Sequence, residues 1–408
     1  MAKTLLIVSG GIEAVPGIQR AKEMGLYIVV SDMDPNASGF EFSDDHIIAS
    51  TYDINATVRA AKEYHKNKRS IDGVICIASD VPLTVSTVAE EFNLPGIPVE
   101  TARLASDKLA MKKCFASAGI QIPWYSQIET VSDLKKIIED RGLPLVIKPI
   151  DNRGARGVLR ITNVDQAEWA FVHSLNYSPT LKLMVEEFLE GPQISTEAII
   201  IDGVGYPIGF TDRNYEFIDR FAPYIIENGG GFPSHLDPTD QIAIADMSIK
   251  AGLAMGIKNG IAKGDMVLTD DGPKVIEIAA RLSGGWFSTD QIPLGLGIDL
   301  IGSAIKLALG EKIDVKELIP QYHKGVAIRY FFPEPGIVKG IRHREKFNGV
   351  NWVNRLGLFV KPGDIVESVT NHTKRAGFVI TTADTQDLAI QRALEVVNNV
   401  QIETGPVS

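Results

Sequence analysis

Two acids frame a short hairpin near residue 270 and limit what this part of the chain can become. Between Asp265 and Glu277, the runs Val267-Leu268-Thr269 and Lys274-Val275-Ile276 read as strands joined through Asp270-Asp271-Gly272. An Asp-Gly pair between apolar runs is a hairpin signal. Adjacent antiparallel strands would hold both carboxylates close together. Oxygen ligands at that separation suit Mg²⁺, which takes one or two protein carboxylates and leaves its other positions to water and phosphate. Arg281, four residues beyond Glu277, adds a fixed cation beside the metal. The pattern reads as nucleotide phosphates held by a metal, with an arginine for developing charge.

A chain of 408 residues predicts two to four domains with ample core. The net charge of −10, with no basic cluster, argues against a nucleic-acid surface. Cys76 and Cys114 form no motif and read as reduced, buried thiols of a cytoplasmic protein. Residues 4–8 are too short for a signal peptide, and no apolar run reaches membrane length, so no membrane partner is expected.

The N-terminal third alternates strands and helices: Leu5–Val8, a helix from about Pro16 to Met24, Tyr27–Val30, and Gly73–Ala78. Apolar strands separated by amphipathic helices predict a parallel sheet covered on both faces. Gly10, Gly11 and Gly17 do not fit GxGxxG, so a loop lining a ligand cleft is favoured over a dinucleotide site. Asp32 and Asp80, at strand ends, are expected to cap the following helices, with substrate contact the alternative.

In the middle of the chain Ser106 is a candidate N-cap for a helix through Ser117, and a second helix is expected near Leu134–Glu139. The strand Pro144–Pro149 ends in Lys148, and the run Asp151–Val158 carries Gly154 and Gly157. Glycines let backbone N–H groups approach phosphate oxygens, and a lysine at the strand end can neutralise them. Glycine-rich hairpins are also common without a ligand, and no Walker GKS or GKT follows. Next, Leu183–Glu187 runs through Phe188-Leu189-Glu190-Gly191-Pro192 into a strand Ile194–Ile201. This is either a hinge beside an adenine or an exposed acidic turn. Gln193, Ser195 and Glu197 share one face of the strand.

Taken in this order, the elements resemble the ATP-grasp superfamily, most closely its carboxylate–amine ligases with a carbamoyl-phosphate-synthase-like layout and L-amino acid ligases. The resemblance spans essentially the whole chain. It implies an α/β fold: an N-terminal parallel α/β domain (1–105), a small ATP-grasp subdomain with a glycine-rich lid (106–190), a large subdomain with the metal site (191–312), and a small C-terminal α+β domain (313–408). It implies ATP with Mg²⁺, Mn²⁺ being an alternative. Lys108 and Lys148 match phosphate-contacting lysines, and Gly154, Ala155, Arg156, Gly157 and Val158 match the loop that folds over the triphosphate. Glu186, Glu187, Phe188 and Leu189 match the adenine hinge, with Glu186 oriented to the exocyclic amine. Val267 matches the apolar residue on the adenine face. Asp265 and Glu277 match the metal acids. Arg281 matches the arginine that steadies acyl-phosphate and tetrahedral intermediates. Ser283, Gly284 and Gly285 would offer donors to the same oxyanion.

Four departures stand out. The first metal acid is Asp265 where the family usually has glutamate. Ala279 replaces a metal-binding asparagine. Gln193 stands for a ribose-binding glutamate, and Ala155 for a serine.

Between hinge and metal acids, Arg213 is a candidate for a substrate carboxylate and Glu227 for an ammonium, a surface loop being the alternative. Arg329 is a further carboxylate candidate, with pairing to a local acid equally open. Trp286 is expected to wall the substrate pocket. The histidines, His372 among them, are read as surface or core residues. In the C-terminal stretch, 336–340, 361–364 and 376–380 point to short strands, and Gln386–Val400 to an amphipathic helix.

Three functions compete. The first is an ATP-dependent ligase that activates a carboxylate as an acyl phosphate and joins it to an amine, with an amino acid among its substrates. The second is an ATP-grasp enzyme acting on bicarbonate or formate, or transferring phosphate without condensation. The third is a nucleotide-binding sensor without turnover. Small carboxylates and amines are the expected partners, and a homodimer is an expected assembly.

Overall fold

The computed structural model describes residues 2–406. Thr4–Val8 is fully buried and lies between Tyr27–Asp32 and Gly73–Ile75 in a four-stranded parallel sheet, with Asp45–Ile48 on the outer edge. Its side chains alternate between two cores. Leu5 and Ile7 pack with Ile18 of the helix Val15–Glu23, while Leu6 and Val8 pack with Ala61 and Val88 of helices Ile54–Asn67 and Pro82–Glu91. A sheet covered on both faces explains the unbroken apolar run. The third strand stops at Ile75 rather than Ala78, because Ala78 adopts a left-handed conformation (φ 59°) that ends the extended backbone. Asp45–Ile48 carries two polar residues in four and was not expected.

Asp32 and Asp80 cap no helix. Asp32 accepts from the backbone of Gly10 and Asp34, and Asp80 is held by arginines. Nor is Ser106 an N-cap. It is the last residue of a helix Val99–Ser106, and its hydroxyl donates back to the Ala102 carbonyl. Asp107 caps the helix Lys108–Ser117 by accepting from the Ala110 amide at 2.9 Å.

A second sheet, antiparallel, orders Tyr125–Ile128, Leu183–Glu187, Leu145–Pro149 and Leu159–Ile161. The expected helix near 134–139 is Val131–Arg141, started earlier by a reciprocal cap between Thr130 and Asp133. The third sheet has eight strands in the order Gly272–Ala279, Gly260–Thr269, Gln193–Ile201, Val204–Asn214, Gly229–Phe232, Gly325–Phe331, Gly377–Ala383 and Val353–Leu358. Strands on both sides of residue 312 therefore share one ladder.

Residues 361–364 form a turn, with Pro362 and Gly363 fitted to it, leading into the strand Ile365–Val366. The last helix is Gln386–Asn399; Ala389, Ala393 and Val396 are buried, whereas Leu388 is exposed.

Candidate active site

A fourth sheet of three strands, Ile365–Val366, Gly336–Arg342 and Gln401–Gly405, lies apart in the C-terminal part. The other three border a cavity of about 700 Å³. Its floor follows from strand register. Asp265 pairs directly with Glu277 on one side and Ser195 on the other, so the three occupy one row. The next row along holds Glu197, Lys263 and Ala279, and the row on the other side holds Gln193 and Val267. Residues two apart face the same way, so all three rows present one face. Ser195, Asp265, Glu277, Lys263, Gln193 and Val267 border the cavity. The hairpin expected from sequence is present, with Asp270 and Asp271 as its turn.

Asp265 is already engaged by cations. Arg213 Nη1 lies 2.8 Å from Oδ1, Lys263 pairs with Oδ2, and the Ser195 hydroxyl donates to Oδ1 at 2.9 Å. Burial alone would raise this carboxyl; Arg213 and Lys263 outweigh it and hold the group well below the usual carboxylate range. Glu277 is freer, its nearest cation being Lys108 Nζ at 3.5 Å.

Among the described residues no group of three or more acidic, histidine or cysteine side chains is poised for a metal. Magnesium that draws its remaining ligands from phosphate and water requires no such group. The oxygen donors of Glu277 and Asp265 fit one such ion. Ala279 offers nothing to a second.

Lys108 Nζ donates to the Asn152 carbonyl at 2.7 Å, tying the head of its helix to the glycine loop. Gly154, Ala155, Arg156 and Val158 border the cavity. Gly157 does not: its φ is 73°, and a Cβ there would lie 2.8 Å from Tyr177, so packing requires the glycine.

Lys148 and Glu186 form a buried ion pair, and Lys112 Nζ lies 3.3 Å from the other Glu186 oxygen. Glu186 thus faces two lysines, and its Oε2, the oxygen near Lys112, accepts no hydrogen bond. Glu187 pairs with Lys274 at 2.9 Å. Phe188 and Leu189 line the cavity end and Val267 is fully buried beneath it, an apolar slot for a flat ring. Lys112 was missed from sequence, although its place one turn after Lys108 puts both on one helix face.

Arg281 Nε lies 3.3 Å from Asp80, which also faces Arg153 at 3.8 Å. Burial would raise the Asp80 carboxyl, but Arg281 and Arg153 hold it low. An acid of the N-terminal sheet therefore aims the arginine that follows Glu277.

Ser283 is not free to stabilise an oxyanion. Its hydroxyl donates to Glu197, and its amide donates to Ser288 Oγ at 2.7 Å. The Gly285 amide donates to Glu13 at 2.7 Å. Trp286 does not wall the cavity: it is 2% exposed and stacks on Phe378 with ring centroids 3.6 Å apart. Its left-handed backbone (φ 55°) turns the ring beneath the sheet, and Phe287 and Phe359 border the space instead.

Arg213 and Glu227 both border the cavity but bind each other, at 2.7 Å. Neither is a free receptor for a substrate charge. Arg329 is buried and pairs locally, its Nη1 with Asn214 and its Nη2 3.7 Å from Glu216. His372 does border the cavity, its Nε2 accepting from the Glu227 amide and its own amide donating to Gly154. Burial, then the charges of Arg375 and Arg213, push its imidazole well below the usual range. Glu13, His372 and Arg375 carried no sequence signal, since each lies on a loop far along the chain from its partners.

The ATP-grasp domain family matches residues 105–285, the segment that carries Lys108, Lys148, the glycine loop, the run 186–189, Asp265 and Glu277. Residues 105–285 are an ATP-grasp domain. The L-amino acid ligase C-terminal domain 2 matches residues 329–405. An uncharacterized protein of Sinorhizobium fredii is 25% identical over 98% of this chain and 83% of its own length. The alanine–anticapsin ligase of Bacillus subtilis is 24% identical over 77% of this chain and 69% of its own. In fold, the chain is similar to an L-amino acid ligase from Bacillus licheniformis, with a TM-score of 0.84, 21% identity and 99% of each chain covered.

Proposed function

We propose that this chain is a ligase that consumes ATP to join a carboxylate to an amine, with an amino acid among its substrates, releasing ADP and phosphate. The observation that carries the reading is the row Ser195–Asp265–Glu277, set beside Lys108 and beneath the glycine loop. The relatedness to an alanine–anticapsin ligase supports an amino acid substrate.

A carboxylate is a poor electrophile, and taking the γ-phosphoryl of ATP makes it reactive. Such transfers depend on positioning and charge neutralisation. Lys108 and Lys148 are assigned to the nucleotide phosphates, Gly154–Val158 to covering them, and Phe188, Leu189 and Val267 to the adenine. Glu277 and Asp265 would hold Mg²⁺, which when bound neutralises charge on the phosphate oxygens. Arg281, fixed by Asp80, faces the acyl phosphate and the tetrahedral intermediate. Closure of the glycine loop shields the acyl phosphate from water. In this reading the chain divides into the four parts 1–105, 106–190, 191–312 and 313–408. Its two cysteines are unpaired, which supports a reducing, cytoplasmic setting. No helix among the described residues is long and apolar enough to cross a membrane.

The test is ADP and phosphate release with Mg-ATP across amino acids offered singly and in pairs, with product mass measured. Release that needs two compounds and yields a condensed product supports the reading. Release with one acid alone, without condensation, points to phosphoryl transfer. No release with any pair, despite ATP binding, removes the ligase.

A further inference from the structure

With Arg213 and Glu227 bound to each other, the described charged cavity residues that form no ion pair are Arg156 of the glycine loop, whose Nε is turned to the Arg153 carbonyl, Arg375, and one acid, Glu13. Among the described residues neither Arg375 nor Glu13 forms an ion pair, and both border the cavity.

Arg375 follows the short turn His372–Lys374. Its guanidinium carbon lies 3.7 Å from the centroid of the Tyr330 ring. One terminal nitrogen donates to the Glu227 carbonyl at 2.6 Å. The Nε is buried and has no partner. The Tyr330 ring and the carbonyl hold the fork in place, which leaves the Nε without an acceptor. Buried donors are nearly always satisfied. A planar guanidinium edge matches a carboxylate.

Glu13 sits in the turn Ile12–Ala14 that follows the first strand. One of its oxygens accepts from the Gly285 amide. Gly285 links the two groups, because a Cβ on it would lie 3.3 Å from the hydroxyl of the same Tyr330 that carries Arg375. Burial raises the Glu13 carboxyl, against the Gly285 amide and the charges of Arg375 and Arg281, and a substrate ammonium would supply the missing opposite charge. An acid and a cation thus flank the Gly284–Gly285 turn, close to the arginine assigned to the acyl phosphate.

We propose that Glu13 and Arg375 form the subsite for the attacking substrate, which is a zwitterion: its carboxylate meets Arg375 and its amine meets Glu13 beside Gly284–Gly285. This rests on the ligase reading above. The pair selects amines that carry a carboxylate over amines that do not. The N-terminal and C-terminal segments each supply one half of the subsite, so ordering either loop changes acceptor binding.

The experiment compares alanine, methionine and phenylalanine with their amides as acceptors, using the full chain. Wild type is expected to prefer the free amino acid by about 10- to 100-fold in kcat/KM, because a site with a committed polar partner rejects an analogue lacking it. Arg375→Gln should lose most of that preference through acceptor KM, with KM for ATP little changed. Arg375→Lys, which keeps the charge and most of the stem, should fall between. Glu13→Gln should raise acceptor KM for acid and amide alike, since both carry the amine. Equal use of acids and amides by wild type overturns the proposal, as does an Arg375→Gln variant that loses both to the same degree. If wild type turns over no acceptor, the ligase reading fails by itself. Calorimetric titration of the three amino acids in Mg-ADP then decides the subsite: binding weakened about tenfold or more by Arg375→Gln retains it, and unchanged or absent binding removes it.

Discussion

Two buried acids in this molecule are each neutralised by two cations, and they are built for different ends. Glu186 lies between Lys112 and Lys148, with side chains at most 5% exposed. Burial pushes Lys112 down to about 8 against the pull of Glu186, while the two lysines hold Glu186 below its usual range. Asp265 lies between Arg213 and Lys263, but its row continues to Glu277, which is 23% exposed and lightly paired. The first cluster is closed to solvent, with only Lys148 and Glu186 reaching the cavity wall. The second ends in an acid with coordination to spare. Charge balance therefore does not separate the two clusters; the lightly paired Glu277 does.

Removing the acid of the closed cluster should show most clearly in stability. Glu186→Gln leaves Lys112 and Lys148 facing each other and should cost about 3–5 kcal/mol in chemical denaturation. A variant as stable as its parent would erase the difference between the clusters. At the open cluster the loss should appear in turnover. Glu277→Gln removes a charge with little change of shape and should slow ADP release by roughly a thousandfold, about 4 kcal/mol, with the thermal midpoint hardly moved. Full activity would sink the metal assignment.

Glu197 sharpens the contrast, for it is buried one row away and salt-bridged to no cation among the described residues. Burial pushes it up to about 7, against donors from Ser283 and Ser288. Its folded state keeps a proton that the unfolded chain releases near 4.5. The stability it contributes is complete below that pH and is lost as pH rises through about 7. Glu197→Gln should remove a slope amounting to about 3 kcal/mol across that window. Denaturation curves at pH 5 and 8 measure it, and an unchanged slope would mean that Glu197 stays ionised. Asp265 runs the other way, its contribution being lost only in strong acid. The smallest effect is expected at Arg281→Ala, roughly a hundredfold in kcat, about 3 kcal/mol, with ATP affinity nearly retained. A defect confined to ATP binding would take Arg281 out of the chemical step.

How much could be read beforehand depends on how locally each feature is set. The hairpin that carries Asp265 and Glu277 was legible because its Asp-Asp-Gly turn is a local signal, whereas the bulge beside Asp265, which skips Ile276 and brings Glu277 opposite it, was not. The strand ending at Lys148 and the loop after it were legible from an apolar run followed by glycines. Ser283 misled because a strand residue, Glu197, reaches its hydroxyl from 86 positions away. Trp286 misled because one left-handed residue redirects the ring. Glu13 and Arg375 meet the Gly285–Tyr330 corner only when both ends of the chain return to the sheet, and no periodicity encodes that. The strand Asp45–Ile48 escaped because an edge strand bears little apolar load.

The eight-stranded sheet also decides what can be cut from this protein. Gly229–Phe232 is held on one side by Val204–Asn214 and on the other by Gly325–Phe331, and a Cβ on Gly231 would strike Gln386 of the last helix. A fragment ending near residue 312 would bare this strand, whose Gly-Gly-Gly-Phe sequence carries neither charge nor proline to deter pairing with another copy. The C-terminal segment thus acts as a stopper on a sticky seam, and transplanting the nucleotide-binding part alone would yield aggregates rather than a smaller enzyme.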